Sequence, residues 1–190
     1  MRIAFFVDAF PDLALTFIID QVVGLLDRGH DVRIFAFARG RHDRSHPVVR
    51  DYDLLGRTTW VGPDGTGLRR AMRAAITAIG HPGAAHFTWR SRRSAGDSLR
   101  THRNLFAHAR LGSDRSFDAI HCHFAPNGVT AVLLRRAGMV SGPIVTTYHG
   151  YDMRHGAPSE GEIYAPLRDE GDLHLSISSY NAGLLRDWGF

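Results

Sequence analysis

Residues Arg2–Ala38 read RIAFFVDAFPDLALTFIIDQVVGLLDRGHDVRIFAFA. Two short apolar runs, Arg2–Val7 and Asp31–Ala38, flank a stretch in which Phe17, Ile18, Val22, Leu25 and Leu26 recur at helical spacing. The runs have the length and the Ile, Phe and Val content of buried strands, and the stretch between them has the apolar stripe of a packed helix. Asp8 and Pro11 bound the first strand, Thr16 stands where an N-cap is expected, and Gly29 stands where a helix stops. A strand, a helix and a strand in about forty residues form a βαβ unit, which makes the two strands parallel with a right-handed crossover.

The same alternation returns toward the end of the chain. FDAIHCHF (Phe117–Phe124), PIVTTYH (Pro143–His149) and LHLSIS (Leu173–Ser178) read as strands. GVTAVLLRRAGM (Gly128–Met139), EIYAPLRDEG and SYNAGLLRDWGF read as the helices between and after them, the first stopping near Gly138. This order predicts the α/β class, with one doubly wound, Rossmann-like parallel sheet. The chain has 190 residues, of which 44% are hydrophobic and 22% charged, the balance of one folded domain over 1–190.

All of the 23 basic residues are arginine, and they are unevenly placed. Residues 39–115 hold 15 arginines against 6 aspartates, a net of +9, whereas the whole chain has only +4. Within this variable segment, about 39–116, TTWVG (Thr58–Gly62) reads as a strand and SLRTHRNLFAHARL as a helix. Residues 81–97, HPGAAHFTWRSRRSAGD, read as a flexible loop. GLRRAMRAAITAIG (Gly67–Gly80) reads as an amphipathic helix, with Leu68, Met72, Ile76 and Ile79 on one face and Arg69, Arg70 and Arg73 on another. Two readings of that helix stand open: its apolar face packs on the sheet, or it makes peripheral contact with an anionic membrane. No nucleic-acid reader motif accompanies the arginines, so nucleic acid is not an expected partner. The single cysteine, Cys122, fits a reducing compartment, and no long apolar run or secretory cleavage site is present, so a cytoplasmic location is expected.

Parallel sheets bind ligands beyond the carboxyl ends of their strands. The polar residues that this chain brings there are Asp8 and the Pro11–Thr16 loop, His121 and His123, His149, Gly150 and Asp152, and Ser176, Ser178 and Ser179. Each has a plainer role available: His121 as a core histidine, the serines as a helix cap, HGYD as a turn. Their joint arrival at successive strand ends is what points to a site. His121 and His123 alternate along one strand and share a face, but without a well-placed third ligand they do not make a metal site, and none is expected. No G-x-G-x-x-G follows the first strand, which disfavours a nicotinamide oxidoreductase, and the chain carries neither a P-loop nor a G-x-S-x-G elbow.

Arg2–Phe37, with Thr16-Phe17 closing its loop and Arg28-Gly29-His30 before the second strand, resembles the opening of family 4 glycosyltransferases of the GT-B fold. FDAIHCHFAPNGVTAVLL, PIVTTYHGYDM and LHLSISSYNAGLLRDWGF are similar, in the same order, to three further segments of that family's N-terminal domain. The resemblance implies transfer of a sugar from a nucleotide-sugar donor to an acceptor hydroxyl on a glycan or a lipid-linked molecule, by a retaining reaction and with no separate cofactor. It implies that His149 lies in the catalytic cleft and hydrogen-bonds the donor sugar, that Gly150 permits close approach, and that Asp152 holds the loop. The Pro11–Thr16 loop, with Pro11 and Thr16 at its ends, would lie near the donor phosphates or the acceptor; Asp8, His123 and Ser176 are the substrate-binding candidates that the strand ends supply. Many members carry Ser-Glu where this chain has Ala14-Leu15. Such enzymes have two facing Rossmann-like domains, and the resemblance covers only the N-terminal, acceptor-side one. The nucleotide-binding C-terminal half, on the same or another chain, is an implied partner, and the isolated chain is expected to be inactive. Two other functions remain in view: a non-catalytic Rossmann-like module that binds a glycan or a nucleotide, and one chain of a split enzyme. Glu162 and Glu170 have the spacing of that family's paired glutamates but precede the last strand, and they read as a solvated helix face.

Overall fold

The computed structural model describes residues 1–12, 15–40, 46–62, 67–95, 98–111 and 115–190, with side chains left out of the description for 90–95 and 98–102. Its centre is a six-stranded sheet of β1 (Arg2–Phe10), β2 (Asp31–Arg39), β3 (Thr58–Trp60), β4 (Ala119–His123), β5 (Ile144–Tyr148) and β6 (Leu173–Ser176), in the order β3-β2-β1-β4-β5-β6. Every neighbouring pair is parallel. The α/β doubly wound, Rossmann-like class is therefore as the alternation predicts, and β1 and β4 sit side by side where the strand order reverses.

Alternation along the strands divides the core. Ile3, Phe5 and Val7 of β1 and Val32, Ile34 and Ala36 of β2 meet α1 (Thr16–Leu26) and α2 (Pro47–Asp51) on one face. Ala4, Phe6, Phe35, Phe37, Ile120, Cys122, Ile144 and Tyr148 face the other layer. That layer holds α4 (Pro82–Ala95), α5 (Ser98–Arg110), α6 (Ala125–Arg136), α7 (Gly150–Gly156), α8 (Ala165–Glu170) and α9 (Ser179–Asp187), and α3 (Gly67–Gly80) rests on α4 and α5 outside it. On the first face the cover stops short: Leu173, Leu175 and Ile177, at and just beyond the edge strand β6, are exposed. No helix of the described residues is long and apolar enough to cross a membrane.

Several local expectations change. β1 runs through Asp8 to Phe10, because its pairing with β2 continues from Ala9 and Phe10 to Ala38 and Arg39. Thr16 is the first residue of α1; Leu15 holds the N-cap position, with no side-chain cap, so Thr16 is not the cap. Gly29, at φ +78°, ends the helix as expected, with the His30 amide returning to the Leu25 carbonyl. Residues 82–95 are helix α4, not a loop, since Ala84 and Phe87 have buried partners in α5 and the sheet. The apolar face of α3 does not pack on the sheet: Leu68, Met72, Ile76 and Ile79 are all exposed. Ala14 lies outside the described residues.

Gly128 lies where α6 crosses β5. A Cβ there would stand 2.5 Å from Thr146 Oγ1 and 2.7 Å from Leu167 Cδ2. Gly128→Ala is expected to lower stability by about 1–3 kcal/mol through overpacking, read as a lower urea midpoint with an unchanged slope.

Candidate functional site

β1, β4, β5 and β6 are adjacent and parallel, so their carboxyl ends form one rim. Asp8 lies near the end of β1, His123 ends β4, His149 directly follows β5 and Ser176 ends β6. Register pairs His123 with Thr147 and Tyr148 with Ser176, which puts His149 one residue beyond the paired ends.

Three histidines and one glutamine form a connected row. His123 Nε2 lies 2.9 Å from Gln21 Oε1, and His123 Nδ1 lies 3.3 Å from His149 Nε2. Because an amide oxygen only accepts, His123 donates from Nε2 and presents a lone pair at Nδ1. His149 then donates to it from Nε2, and the His149 side chain faces the Asp152 backbone N–H in the capping box that opens α7. His121 stacks on His123 at 4.6 Å between ring centroids and bonds Thr147 Oγ1 at 2.9 Å. His123 has no exposed surface, so it stands behind His149 rather than beside a ligand. Phe17 and Phe124 pack on the half-buried His149 ring, with centroids 5.1 and 4.4 Å away.

Burial keeps this row neutral. It pushes His121 down to about 4, with His149 adding to the effect, and pushes His123 down to about 3, with both neighbouring histidines adding. His149 is lowered as well, by burial. Neutral imidazoles are hydrogen-bond groups at pH 7, and the ring nitrogens of His123 are already committed. Among the described residues no cluster of three or more histidine, cysteine or acidic side chains has the arrangement to hold a metal. Cys122 faces the opposite layer and is buried, with its thiol pushed up by that burial.

Asp152 holds two turns at once. Its Oδ2 accepts the His149 backbone N–H at 2.6 Å, and its Oδ1 accepts the Ala125 backbone N–H at 2.9 Å. These are the starts of α7 and α6, and the side chain is fully buried between them. Burial raises its carboxyl to about 7 against the pull of the two N–H groups, and the charge of Asp8 adds to the rise. The staple fixes Phe124 in a conformation that non-glycine residues avoid, φ +72° and ψ 135°. Asn127 helps, with Nδ2 donating to the His123 carbonyl at 2.6 Å.

The other candidates have distinct surroundings. Asp8 accepts a hydrogen bond from Arg103 at 3.0 Å, and that guanidinium lies over the Phe37 ring at 3.4 Å from its centroid. Gly150 is the exposed first residue of α7. Pro11 is buried beside Gly40, where a Cβ would fall 1.6 Å from the Pro11 carbonyl oxygen. Thr16 is exposed. Ser176 Oγ donates to the Ser178 carbonyl at 2.5 Å and accepts the Ser178 N–H, and Ser178 caps α9 by accepting the Asn181 N–H. Glu162 pairs with Arg168, and Glu170 pairs with Arg136, both away from the rim histidines along α8 and the turn before it. Phe17, Gln21, Arg103 and Phe124 also stand at the site, a role the sequence did not give them. The first two share a helix face at i and i+4, a spacing the sequence displays; Arg103 and Phe124 have no comparable signal.

The model of the family described as Glycosyltransferase Family 4 matches residues 15–190. The chain belongs to that family. It is 33% identical over 199 residues to the putative colanic acid biosynthesis glycosyltransferase WcaL of Salmonella typhimurium, covering 100% of this chain and 48% of that protein. It is 30% identical over 188 residues to the amylovoran biosynthesis glycosyltransferase AmsK of Erwinia amylovora, covering 94% of this chain and 45% of that one. This family 4 chain thus spans about half the length of the relatives it matches. Its fold is also that of a lipopolysaccharide outer core galactosyltransferase, WaaB, in its apo form, at a TM-score of 0.52 and 14% identity over all of this chain and 43% of the other.

Asp152→Ala is expected to lower stability by about 2–4 kcal/mol, since it strands two buried N–H donors; Asp152→Asn, which keeps one acceptor oxygen, should lose less. Urea unfolding of the pair checks the order. A second expectation concerns pH. His123 is held near 3 against an ordinary 6.5, so its share of stability is complete above 6.5 and is lost as pH falls toward 3. Asp152, raised from 3.8 to about 7, has the opposite sign: its share is complete below 3.8 and is lost as pH rises through 7. His123→Gln shares the Asp152 contribution with the parent. Its urea midpoint should therefore fall less steeply than the parent's between pH 6.5 and 3.

Proposed function

We propose that this chain is the N-terminal, acceptor-side domain of a retaining glycosyltransferase that moves a sugar from a nucleotide-sugar donor to an acceptor hydroxyl on a glycan or a lipid-linked molecule. The observation that carries the reading is His149, half-buried at the strand ends, held by the Asp152 staple and oriented by a neutral His123, in a chain whose residues 15–190 match the family model. The relatives named for colanic acid and amylovoran biosynthesis support a role in assembling a polysaccharide.

In this reading the His149 ring contacts the donor sugar from the strand ends. Gly150, with no side chain, leaves room beside it. His123 and Gln21 set which nitrogen of His149 carries the proton, and Phe17 and Phe124 keep water from the ring's faces. Asp8, Pro11, Thr16 and Ser176 border the acceptor side. The reaction breaks the bond between the anomeric carbon and the diphosphate and forms one to the acceptor oxygen, whose proton is released. Stabilising the departing diphosphate needs preorganised donors or cations. The reading assigns that task to a nucleotide-binding C-terminal half, on the same or another chain. The length of the relatives supports this, as do the apolar residues Leu173, Leu175 and Ile177 left uncovered on the sheet.

The test measures nucleoside diphosphate release from a panel of nucleotide-sugars. The isolated chain should release none above the buffer blank, and a protein joining it to the C-terminal half should turn over one donor. In that longer protein His149→Ala should lower kcat by about a hundredfold or more, and proton NMR of the product should show the donor's anomeric configuration retained. Turnover by the isolated chain would overturn the half-enzyme reading. Donor or glycan binding without turnover in either form would favour a binding module.

A further inference from the structure

We propose that helix α3 is a membrane-docking helix that lays Leu68, Met72, Ile76 and Ile79 into the surface of an anionic lipid bilayer. The helix is mounted the reverse way from an ordinary amphipathic helix. Its inward contacts are small: Ala74 is buried and Ala78 partly so, against a cluster of Ala84, Leu105 and Phe106 from α4 and α5. Its large apolar side chains point out, with exposures of 78% for Leu68, 57% for Met72, 66% for Ile76 and 83% for Ile79. These four lie at i, i+4, i+8 and i+11, one stripe along a helix about 21 Å long. At roughly 100° per residue the stripe's centre falls on the side away from Ala74. Four adjacent large apolar side chains in water are a binding surface, whereas scattered ones are not.

Charge selects the occupant. GLRRAMRAAITAIG contains Arg69, Arg70 and Arg73 and no acidic residue. Arg69 and Arg73 are exposed along one edge of the stripe. The surrounding 39–115 segment holds 15 arginines against 6 aspartates. An apolar stripe edged by arginines matches acyl chains beneath phosphate headgroups. A second copy of this helix would instead bring arginine against arginine. α3 rests on α5, and α5 carries Arg103 to Asp8, so a docked α3 would hold the strand-end rim near the lipid surface. The inference concerns binding alone and does not depend on sugar transfer.

Sedimentation with vesicles tests it directly. The purified chain should pellet with vesicles of phosphatidylcholine and phosphatidylglycerol, should not pellet with phosphatidylcholine alone, and should bind less as salt is raised. Replacing Met72→Gln, Ile76→Gln and Ile79→Gln together should cut the partition coefficient about tenfold or more, through lost apolar burial. The pair Arg69→Gln and Arg73→Gln should also cut it about tenfold, selectively on the anionic vesicles. Circular dichroism checks that both variants stay folded. Should the triple variant unfold, a single Ile79→Trp change supplies the readout: its emission should shift to the blue on phosphatidylglycerol vesicles only. Binding indifferent to headgroup charge, no binding, or variants that bind like the parent would overturn the proposal. A dimer in light scattering that the triple variant dissolves, without vesicle binding, would give the stripe to a second copy.

Discussion

One buried carboxylate organises the rim of this sheet. Asp152 accepts N–H groups from the first residue of α6 and from the residue that opens α7, and so ties the exits of β4 and β5 together. Both exits turn sharply into helices whose leading amides have no intrahelical acceptor. Meeting both demands with one side chain fixes the spacing between the two turns. It also offsets the cost of Phe124 at positive φ, and the ring of Phe124 is thereby set against His149. The position of His149 is thus a consequence of backbone hydrogen bonding in its neighbours as much as of its own strand.

The row from Gln21 through His123 to His149 follows from burial. An imidazole without exposed surface cannot carry a charge cheaply, and a neutral ring must donate from one nitrogen and accept at the other. Gln21 settles His123, and His123 settles His149. The result is a polar group of defined direction at a strand end, with aromatic rings on its flanks. In the proposed enzyme such a group orients a sugar; general acid–base chemistry near neutral pH would call for an imidazole that titrates there.

The basic segment has a divided character. α4 and α5 join the core through Ala84, Phe87, Leu105, Phe106 and Ala107, and Arg103 closes on Asp8 over the face of Phe37. α3 meets that cluster through Ala74 and Ala78 and turns its large apolar residues outward. The same composition therefore serves the interior in two helices and a surface in the third.

The parallel sheet and the gathering of Asp8, His123, His149 and Ser176 on one rim were legible in the chain, because buried strands and packed helices write their period into the residues. The stops at Gly29 and Gly138 were legible for the same local reason: each is a glycine at positive φ. The start of α7 was half legible, in the three-residue spacing from His149 to Asp152. Which way α3 faces, that residues 82–95 are helical, and that Arg103 reaches Asp8 across 95 positions were decided only by the tertiary structure. Periodicity reveals that a helix has an apolar side; whether that side meets core or solvent depends on what the rest of the chain leaves for it to cover.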